Sequence, residues 1–177
     1  MTDIVVQDNF LDKEYFKKLQ SEILSARFPW YLIAAVKGNE KENEYYPFRA
    51  DYKMVHIVYL NRQIQSNFWN ELNPLFSALD LLAVLRVKIN LSKREEKVTE
   101  HGMHVDLKNV PENALTSILY MNTNNGYTKF ENGEKVESVE NRLVTFPNSF
   151  KHTGTTNSCD AIYRCVMNID WIKREQD

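Results

Sequence analysis

Two histidines and an aspartate, His104, Asp106 and His152, are the residues best placed by type and spacing to carry out chemistry. His104 and Asp106 are two positions apart, and side chains two apart on an extended strand point to the same face. An imidazole and a carboxylate would then point at one place, and His152 is the natural third ligand. Two histidines and one carboxylate form a facial triad, which suits Fe(II) and leaves coordination positions open for other molecules. A solvated strand end is nevertheless the commoner explanation of an isolated His-x-Asp.

Arg164 is the second candidate, because it lies in an otherwise apolar, alternating segment over residues 161–169. On a strand it shares a face with Ile162, Val166 and Asn168. A guanidinium that points inward needs an anionic partner, and the carboxylate of a bound molecule would form a bidentate pair with it. The alternatives are an edge-strand arginine in solvent or an arginine paired with a structural acid.

Two helical patterns precede these residues and would support them. Asp12 is a candidate N-cap for the first helix, and Ser66 is a candidate cap for the second. Pro74 should kink the second helix or divide it. The apolar positions are Phe16, Leu19, Ile23 and Ala26 in the first pattern, and Trp69, Leu72, Phe76, Leu79 and Leu82 in the second. The charged segment 37–46 is expected to be a loop.

From about residue 84 the apolar pattern changes to the two-residue alternation of strands. The predicted strands cover residues 84–91, 115–121, 127–130, 141–146 and 162–169, with turn sequences rich in Asn and Gly between them. Helices followed by short strands predict an α+β domain, with helices packed on an antiparallel sandwich or barrel. A single domain over 1–177 is expected, with helical support over roughly 1–83 and the strand core over roughly 84–172.

Six stretches follow one another in a recognisable order in the second half of the chain. They are His104-Val105-Asp106, Thr116-Ser117-Ile118-Leu119-Tyr120-Met121-Asn122, Gly126-Tyr127-Thr128-Lys129-Phe130, Arg142-Leu143-Val144-Thr145-Phe146, His152-Thr153-Gly154 and Arg164. Their order and spacing resemble the catalytic core of the 2-oxoglutarate oxygenases of the prolyl 4-hydroxylase type, and are especially similar to small phage-encoded members. The opening segment 5–24 also resembles the leading strand and helix of these enzymes.

This resemblance implies a double-stranded β-helix, or jelly roll, with flanking N-terminal helices. It implies Fe(II) bound by His104, Asp106 and His152, and 2-oxoglutarate held by Arg164 with help from Tyr120. O2 is the other cosubstrate, and ascorbate is a candidate supporting reductant. The implied reaction hydroxylates an unactivated C–H bond while 2-oxoglutarate is decarboxylated to succinate and CO2.

Two features depart from the family pattern. The usual Gly-Gly-x-Thr-x-Phe has a single glycine here, Gly126, ahead of Thr128 and Phe130. Many relatives also carry a tyrosine near the cosubstrate on the first core strand, where this chain has Asn90. Asn90 is carried over as a third candidate cosubstrate residue.

The other two histidines have plainer expected roles. His101 is three residues before His104, which on a strand points it to the opposite face, so an exposed or supporting role is expected. His56 lies among apolar residues and is expected to be a satisfied core histidine. The charged run 93–97 is either a solvated loop or part of a substrate lid.

The substrate that the resemblance implies is a prolyl residue in a peptide or protein. Two alternatives stay open: the same chemistry on an alkylated nucleic-acid base, and a jelly-roll binding module that has lost turnover. The formal net charge of -2 argues against nucleic acid, whose binding needs a basic face. The complete set of three ligands, together with Arg164, argues against a silent module.

Composition sets the remaining expectations. The chain is 43% hydrophobic and 26% charged, as in globular proteins. Cys159 and Cys165 are the only cysteines, so no disulfide framework is expected. The opening residues lack a basic region followed by an apolar run, so no secretory leader is expected, and no apolar stretch reaches the roughly 18 residues that span a membrane. We therefore expect no membrane partner and a cytoplasmic protein, in the host cytoplasm if a phage encodes it; the oligomeric state stays open.

Overall fold

The computed structural model describes residues 4–34 and 52–174. The helices are α1 (Lys13–Ile23), a 3-10 helix (Asn67–Leu72) and α2 (Asn73–Leu79). Asp12 caps α1, because its carboxylate accepts hydrogen bonds from the backbone N–H groups of Glu14 and Tyr15. None of the helices in the described residues is long and apolar enough to cross a membrane.

The second helical pattern is divided at the proline, as predicted. The hydroxyl of Ser66 caps the 3-10 helix by accepting from the backbone N–H of Phe68 at 3.2 Å. Pro74 lies in the first turn of α2, where the missing N–H costs nothing. Leu82, which the pattern placed on the helix, instead lies on the following strand with 59% of its surface exposed.

Two antiparallel sheets form the core of the described chain. The strands are β1 (Val5–Gln7), β2 (Tyr31–Ala34), β3 (Tyr52–Leu60), β4 (Gln63–Ile64), β5 (Leu81–Lys93), β6 (Ala114–Tyr120), β7 (Tyr127–Phe130), β8 (Lys135–Glu137), β9 (Leu143–Pro147), β10 (His152–Gly154) and β11 (Tyr163–Lys173). The larger sheet has the order β1-β9-β6-β11-β5-β3-β2, with β4 paired to β3, and the smaller sheet has the order β10-β7-β8. This arrangement fits the predicted jelly roll with flanking helices.

The larger sheet has apolar residues on both faces. One face packs against the helices through residues such as Ile89, Met167 and Ile169, which belong to the same buried cluster as Leu19 and Leu72. The other face packs against the smaller sheet in a second cluster. That cluster consists of Ile118, Tyr120, Phe130, Val136, Val144, Phe146 and Val166. The polar residues discussed below lie between the two sheets, beside this second cluster.

The region before residue 84 supplies more strand than predicted. β3 pairs with β5 along most of its length and β2 pairs with β3, so these strands extend the larger sheet. The sequence pattern missed β3 because both of its faces are partly covered, which weakens the polar–apolar alternation. The expected loop 37–46 lies outside the described residues.

Candidate active site

His104, Asp106 and His152 lie together between the sheets. Backbone hydrogen bonds of 3.0 Å join His104 and His152 in both directions, so the segment that carries the first two residues is held against β10. The Nε2 atoms of His104 and His152 lie 3.7 Å from Oδ1 and Oδ2 of Asp106, respectively. The candidate ligand atoms all lie within 4.8 Å of one another. This spacing suits a single divalent ion.

Both histidine rings are set in the tautomer that a metal needs. Nδ1 of His104 lies 3.0 Å from the carbonyl oxygen of Gly102, and Nδ1 of His152 lies 3.2 Å from that of Phe150. A carbonyl oxygen only accepts, so each Nδ1 donates its proton and each Nε2 keeps a free lone pair. Burial lowers the pKa of His152, which favours the neutral ring.

The Asp106 carboxylate is held from behind by charged and polar groups. Nη2 of Arg86 lies 2.7 Å from Oδ1, and the amide of Asn168 donates to Oδ2 at 3.1 Å. Burial would raise the pKa of Asp106, but the neighbouring His104 and the positive charge of Arg86 outweigh it, so the pKa is lowered. The carboxylate is therefore ionised, as a metal ligand must be.

Arg86 is itself shared between two carboxylates. Its Nε donates to Oδ2 of Asp170 at 2.7 Å, and Asp170 is fully buried. Thr116 and Asn148 donate to the other oxygen of Asp170 at 2.8 and 3.2 Å. Asp170 thus fixes the guanidinium that fixes Asp106, although burial raises the pKa of Asp170 to about 6.

Arg164 lies in the same cavity, further along β11. It is 4% exposed, its Nε donates to Ser138 Oγ at 2.8 Å, and its Nη2 donates to Thr128 Oγ1 at 3.2 Å. Both of these partners are neutral hydroxyls, and the described residues place no carboxylate within ion-pair distance of Arg164. Burial accordingly lowers the pKa of Arg164. The prediction of an inward arginine available to an external anion fits this geometry.

Gly126 makes room for that arginine. A Cβ at this position would lie 2.6 Å from Cδ of Arg164 and 2.7 Å from the carbonyl oxygen of Thr156. Neither atom can move away easily, because Arg164 is buried and the Thr156 oxygen belongs to the backbone. The glycine retained from the family motif therefore has a packing role at the arginine.

Tyr120 lies behind the arginine and does not line the cavity. Its hydroxyl lies 2.8 Å from Thr128 Oγ1, its ring centroid is 5.5 Å from the Arg164 guanidinium carbon, and it is fully buried. Asn90 does line the cavity. Its amide donates to the side-chain oxygen of Asn168 at 3.2 Å, so Asn90 is linked to Asp106 through the side chain of Asn168.

The two remaining histidines, His101 and His56, lie on opposite sides of the larger sheet. His101 lines the cavity, contrary to the opposite-face expectation, because residues 101–103 are not part of a strand. Burial, together with Lys53 and Arg164, lowers the pKa of His101 to about 4. His56 is buried beside Phe28 and its Nδ1 donates to a backbone carbonyl, while its Nε2 has no hydrogen-bond partner among the described residues.

Sequence reasoning missed Arg86, Asp170 and Lys88. All three belong to polar faces of otherwise apolar strands, the even positions of β5 and β11. The alternation on β5 was visible, but nothing in the sequence indicated that its polar side faces a cavity and not solvent. Arg86 and Asp170 meet across a strand pair, in a register that the sequence does not reveal.

Comparison with known proteins identifies the fold of this chain through solved structures. No family model matches the sequence, and no curated protein matches it at a significant level. A 2OG-Fe(II) oxygenase-family oxidoreductase from Burkholderia pseudomallei superposes with a TM-score of 0.68 at 12% identity, covering 98% of this chain and 86% of that one. The chain therefore has the fold of the 2-oxoglutarate- and Fe(II)-dependent oxygenases.

Two further solved structures show how varied this fold is. A prolyl hydroxylase from Trichoplax adhaerens, in complex with a hypoxia inducible factor peptide fragment, has a TM-score of 0.64 at 12% identity and covers 96% of this chain and 83% of that one. The epimerase SnoN of nogalamycin biosynthesis has a TM-score of 0.68 at 12% identity, with 97% and 79% covered. Similarity at this level shows the fold, and leaves the substrate to be argued from the site.

Proposed function

We propose that the protein is an Fe(II)- and 2-oxoglutarate-dependent dioxygenase. The observation that carries the proposal is that His104, Asp106, His152 and Arg164 all line one cavity between the sheets. The triad offers two free imidazole nitrogens and an ionised carboxylate, and Arg164 offers a buried guanidinium that lacks an anion among the described residues. A reducing, cytoplasmic setting belongs to this proposal, because it preserves Fe(II) and suits the two free cysteines.

The chain's own residues would divide the work between two ends of the cavity. His104, Asp106 and His152 would hold Fe(II), which supplies O2 activation and oxidative chemistry when bound. Arg164, steadied by Thr128 and Tyr120, would bind the distal carboxylate of 2-oxoglutarate and so orient its 2-oxo acid group toward the triad. The surrounding apolar cluster of the two sheets would keep water from this end.

For the substrate we propose a prolyl residue in a peptide or protein. Support comes from the family resemblance of the sequence and from the peptide-bound prolyl hydroxylase among the structural neighbours. An extended peptide would also bring its own backbone hydrogen bonds to the site. The net charge of -2 gives no support to the nucleic-acid alternative.

The test of the proposed function measures cosubstrate turnover and peptide product together. Purified protein with Fe(II), 2-oxoglutarate and O2 should form succinate and add about 16 Da to proline-containing peptides, as one oxygen atom requires. His104→Ala should abolish both activities and still fold, because its side chain is 50% exposed. His56→Gln, which alters a histidine on the far side of the larger sheet, serves as the matched control and should keep both.

Three outcomes would contradict parts of this proposal. Succinate formation that survives His104→Ala would place the metal elsewhere. Efficient turnover of alkylated single-stranded DNA, with no peptide product, would overturn the substrate class and leave the dioxygenase assignment standing. A folded protein that binds Fe(II) and 2-oxoglutarate yet forms no succinate with any substrate would indicate a silent binding module.

A further inference from the structure

Lys88 is a charged residue of the cavity that the proposed reaction leaves unused. It lies on the polar face of β5, lines the cavity with the triad and Arg164, and is half-buried. Within residues 4–34 and 52–174 its side-chain ammonium makes neither a hydrogen bond nor an ion pair, although Asp106 and Asp170 are close enough to affect its pKa. A half-buried ammonium without a partner is costly, so its position calls for an anionic ligand.

The strand register places Lys88 near the metal-binding residues and away from Arg164. On β5, Lys88 is directly opposite Asn168, whose amide holds Asp106, whereas Arg164 is opposite Ser92. Four residues of strand separate these two levels, about 13 Å at ~3.3 Å per residue. An anion bound by Lys88 would therefore lie beside His104, Asp106 and His152, and not at the end of the cavity where Arg164 lies.

The charges of the filled cavity point to the substrate as the source of this anion. Arg86 is neutralised by Asp170, with which it shares a 2.7 Å contact. If the site is filled, the two positive charges of a divalent metal and the one of Arg164 are balanced by the one negative charge of Asp106 and the two of 2-oxoglutarate. Lys88 then remains as a positive charge without a counterion, on a side of the cavity where Lys53 adds further positive potential.

We propose that Lys88 binds a carboxylate of the substrate close to the carbon that is hydroxylated. This inference rests on the proposed function and specifies it: the preferred peptide carries an acidic side chain next to the target residue. A carboxylate is favoured over a phosphodiester because two lysines, Lys53 and Lys88, in a chain of net charge -2 are a poor match for a polyanion. Burial and the nearby charges of Lys53 and Arg86 lower the pKa of Lys88 to about 8, which leaves it mostly cationic at neutral pH.

The experiment compares matched proline peptides that differ only by Asp or Asn at the positions flanking proline. Binding is measured anaerobically with Fe(II) and 2-oxoglutarate present, so that no turnover occurs. The native protein should bind the best Asp peptide about tenfold more tightly than its Asn counterpart, the usual effect of one charge-assisted contact. Lys88→Gln should remove this preference, and Lys88→Glu should shift it to peptides with Lys at that position.

Controls separate the charge of Lys88 from its effect on folding. Lys13→Gln, the same substitution on the exposed face of α1, should keep the full preference for Asp peptides. Should Lys88→Gln fold poorly in a thermal melt, Lys88→Met provides a second neutral variant with a similar stem. Equal binding of Asp and Asn peptides by the native protein, or a preference that survives in the folded neutral variant, would overturn the proposal.

Two more arms identify the source of the carboxylate. Competition by free L-proline that depends on Lys88 would support the carboxylate site and assign it to a small acid instead of a peptide. Weaker 2-oxoglutarate binding in Lys88→Gln, with the peptide preference intact, would assign Lys88 to the cosubstrate and overturn the proposal. Succinate formation is scored separately: an Asp preference without succinate supports the carboxylate site and contradicts the dioxygenase assignment.

Discussion

At the scale of single residues, the carboxylate of Asp106 is held by Arg86, a residue outside the His-x-Asp…His pattern. Arg86 bridges Asp106 and the fully buried Asp170, with close contacts of 2.7 Å to each. Such a bridge orients the metal ligand and also satisfies a carboxylate that cannot reach water. Buried charges of this kind lose most when one member is removed and the others stay behind.

Arg86→Met should therefore lower stability by about 3–5 kcal/mol, because Asp170 is left buried without its cation. Arg86→Met combined with Asp170→Asn should recover part of that loss, since the unpaired charge is gone. Denaturant unfolding of the two single variants and the double variant measures the coupling. Additive losses in the double variant would show that the two side chains act independently. Metal affinity should stay weakened in the double variant, because Asp106 still lacks its support.

Lys88 gives a second residue-scale prediction, on the dependence of stability on pH. The pKa of Lys88 is lowered in the folded protein to about 8, from an ordinary value of 10.5, with burial as the main cause. The folded state therefore loses the Lys88 proton at lower pH than the unfolded state does. Between about pH 8 and 10.5 the unfolded state binds more protons, and this residue's contribution to stability improves as pH rises.

Lys88→Met should accordingly stabilise the protein at pH 7, by about 1–2 kcal/mol, while it removes the cation that would bind an anion. The gain over the native protein should shrink as pH rises from about 8 toward 10.5. Unfolding midpoints at several pH values measure this difference. A gain that stays constant over that range would mean that burial of the charged Lys88 ammonium does not destabilise the native protein.

At the scale of elements, the amphipathic helix and the longer of the later strands were predictable, because each has a clear local pattern, whereas the three-residue strands β8 and β10 were not predicted. Asp12 and the apolar face of α1 give the start and the buried side of the helix from sequence alone. β3 was not predictable in the same way, since it is partly covered on both faces and shows no clean alternation. The contact of Arg86 with Asp170 depends on the register of β5 against β11, which is fixed by the whole sheet.

The turn before β7 is the element on which the distal pocket depends. Gly126→Ala would place a methyl group 2.6 Å from Arg164 Cδ and 2.9 Å from Asn124 Oδ1. We expect a loss of stability of about 1–3 kcal/mol, as for other overpacked sites, together with weaker 2-oxoglutarate binding because the guanidinium is displaced. Thermal melts and an anaerobic titration with 2-oxoglutarate measure the two effects.

Gly133→Ala is the matched control for that variant. Gly133 has a φ of +90°, and nothing lies within 4 Å of the point that an alanine methyl group would occupy, so alanine there costs backbone strain without crowding Arg164. Its stability should fall and its 2-oxoglutarate affinity should not. Equal losses of affinity in both variants would show that the effect of Gly126→Ala comes from general destabilisation.

At the scale of the whole molecule, the two ends of the cavity lie on elements from both sheets. His152 belongs to the smaller sheet, while Asn90 and Arg164 belong to the larger one. Because residues of the candidate site come from both sheets, occupancy of the site should stabilise the whole domain against unfolding. The type and spacing of His104, Asp106 and His152 suggested a metal site from the sequence, but this connection between sheets required the topology.

Metal and 2-oxoglutarate should therefore stabilise the protein cooperatively. Each binds only the folded state, and a ligand at 100 times its Kd contributes about 2.7 kcal/mol. Without metal, 2-oxoglutarate is held by Arg164 alone and should raise the melting temperature only slightly. With Fe(II) under anaerobic conditions the same concentration should produce a larger rise, and by linkage 2-oxoglutarate should tighten metal binding by the same factor.

His104→Ala should lose the metal-induced shift and the cooperative part of the 2-oxoglutarate shift, while it keeps the small shift due to Arg164. A 2-oxoglutarate shift of equal size with and without metal would mean that the pocket at Arg164 and the triad do not share one ligand.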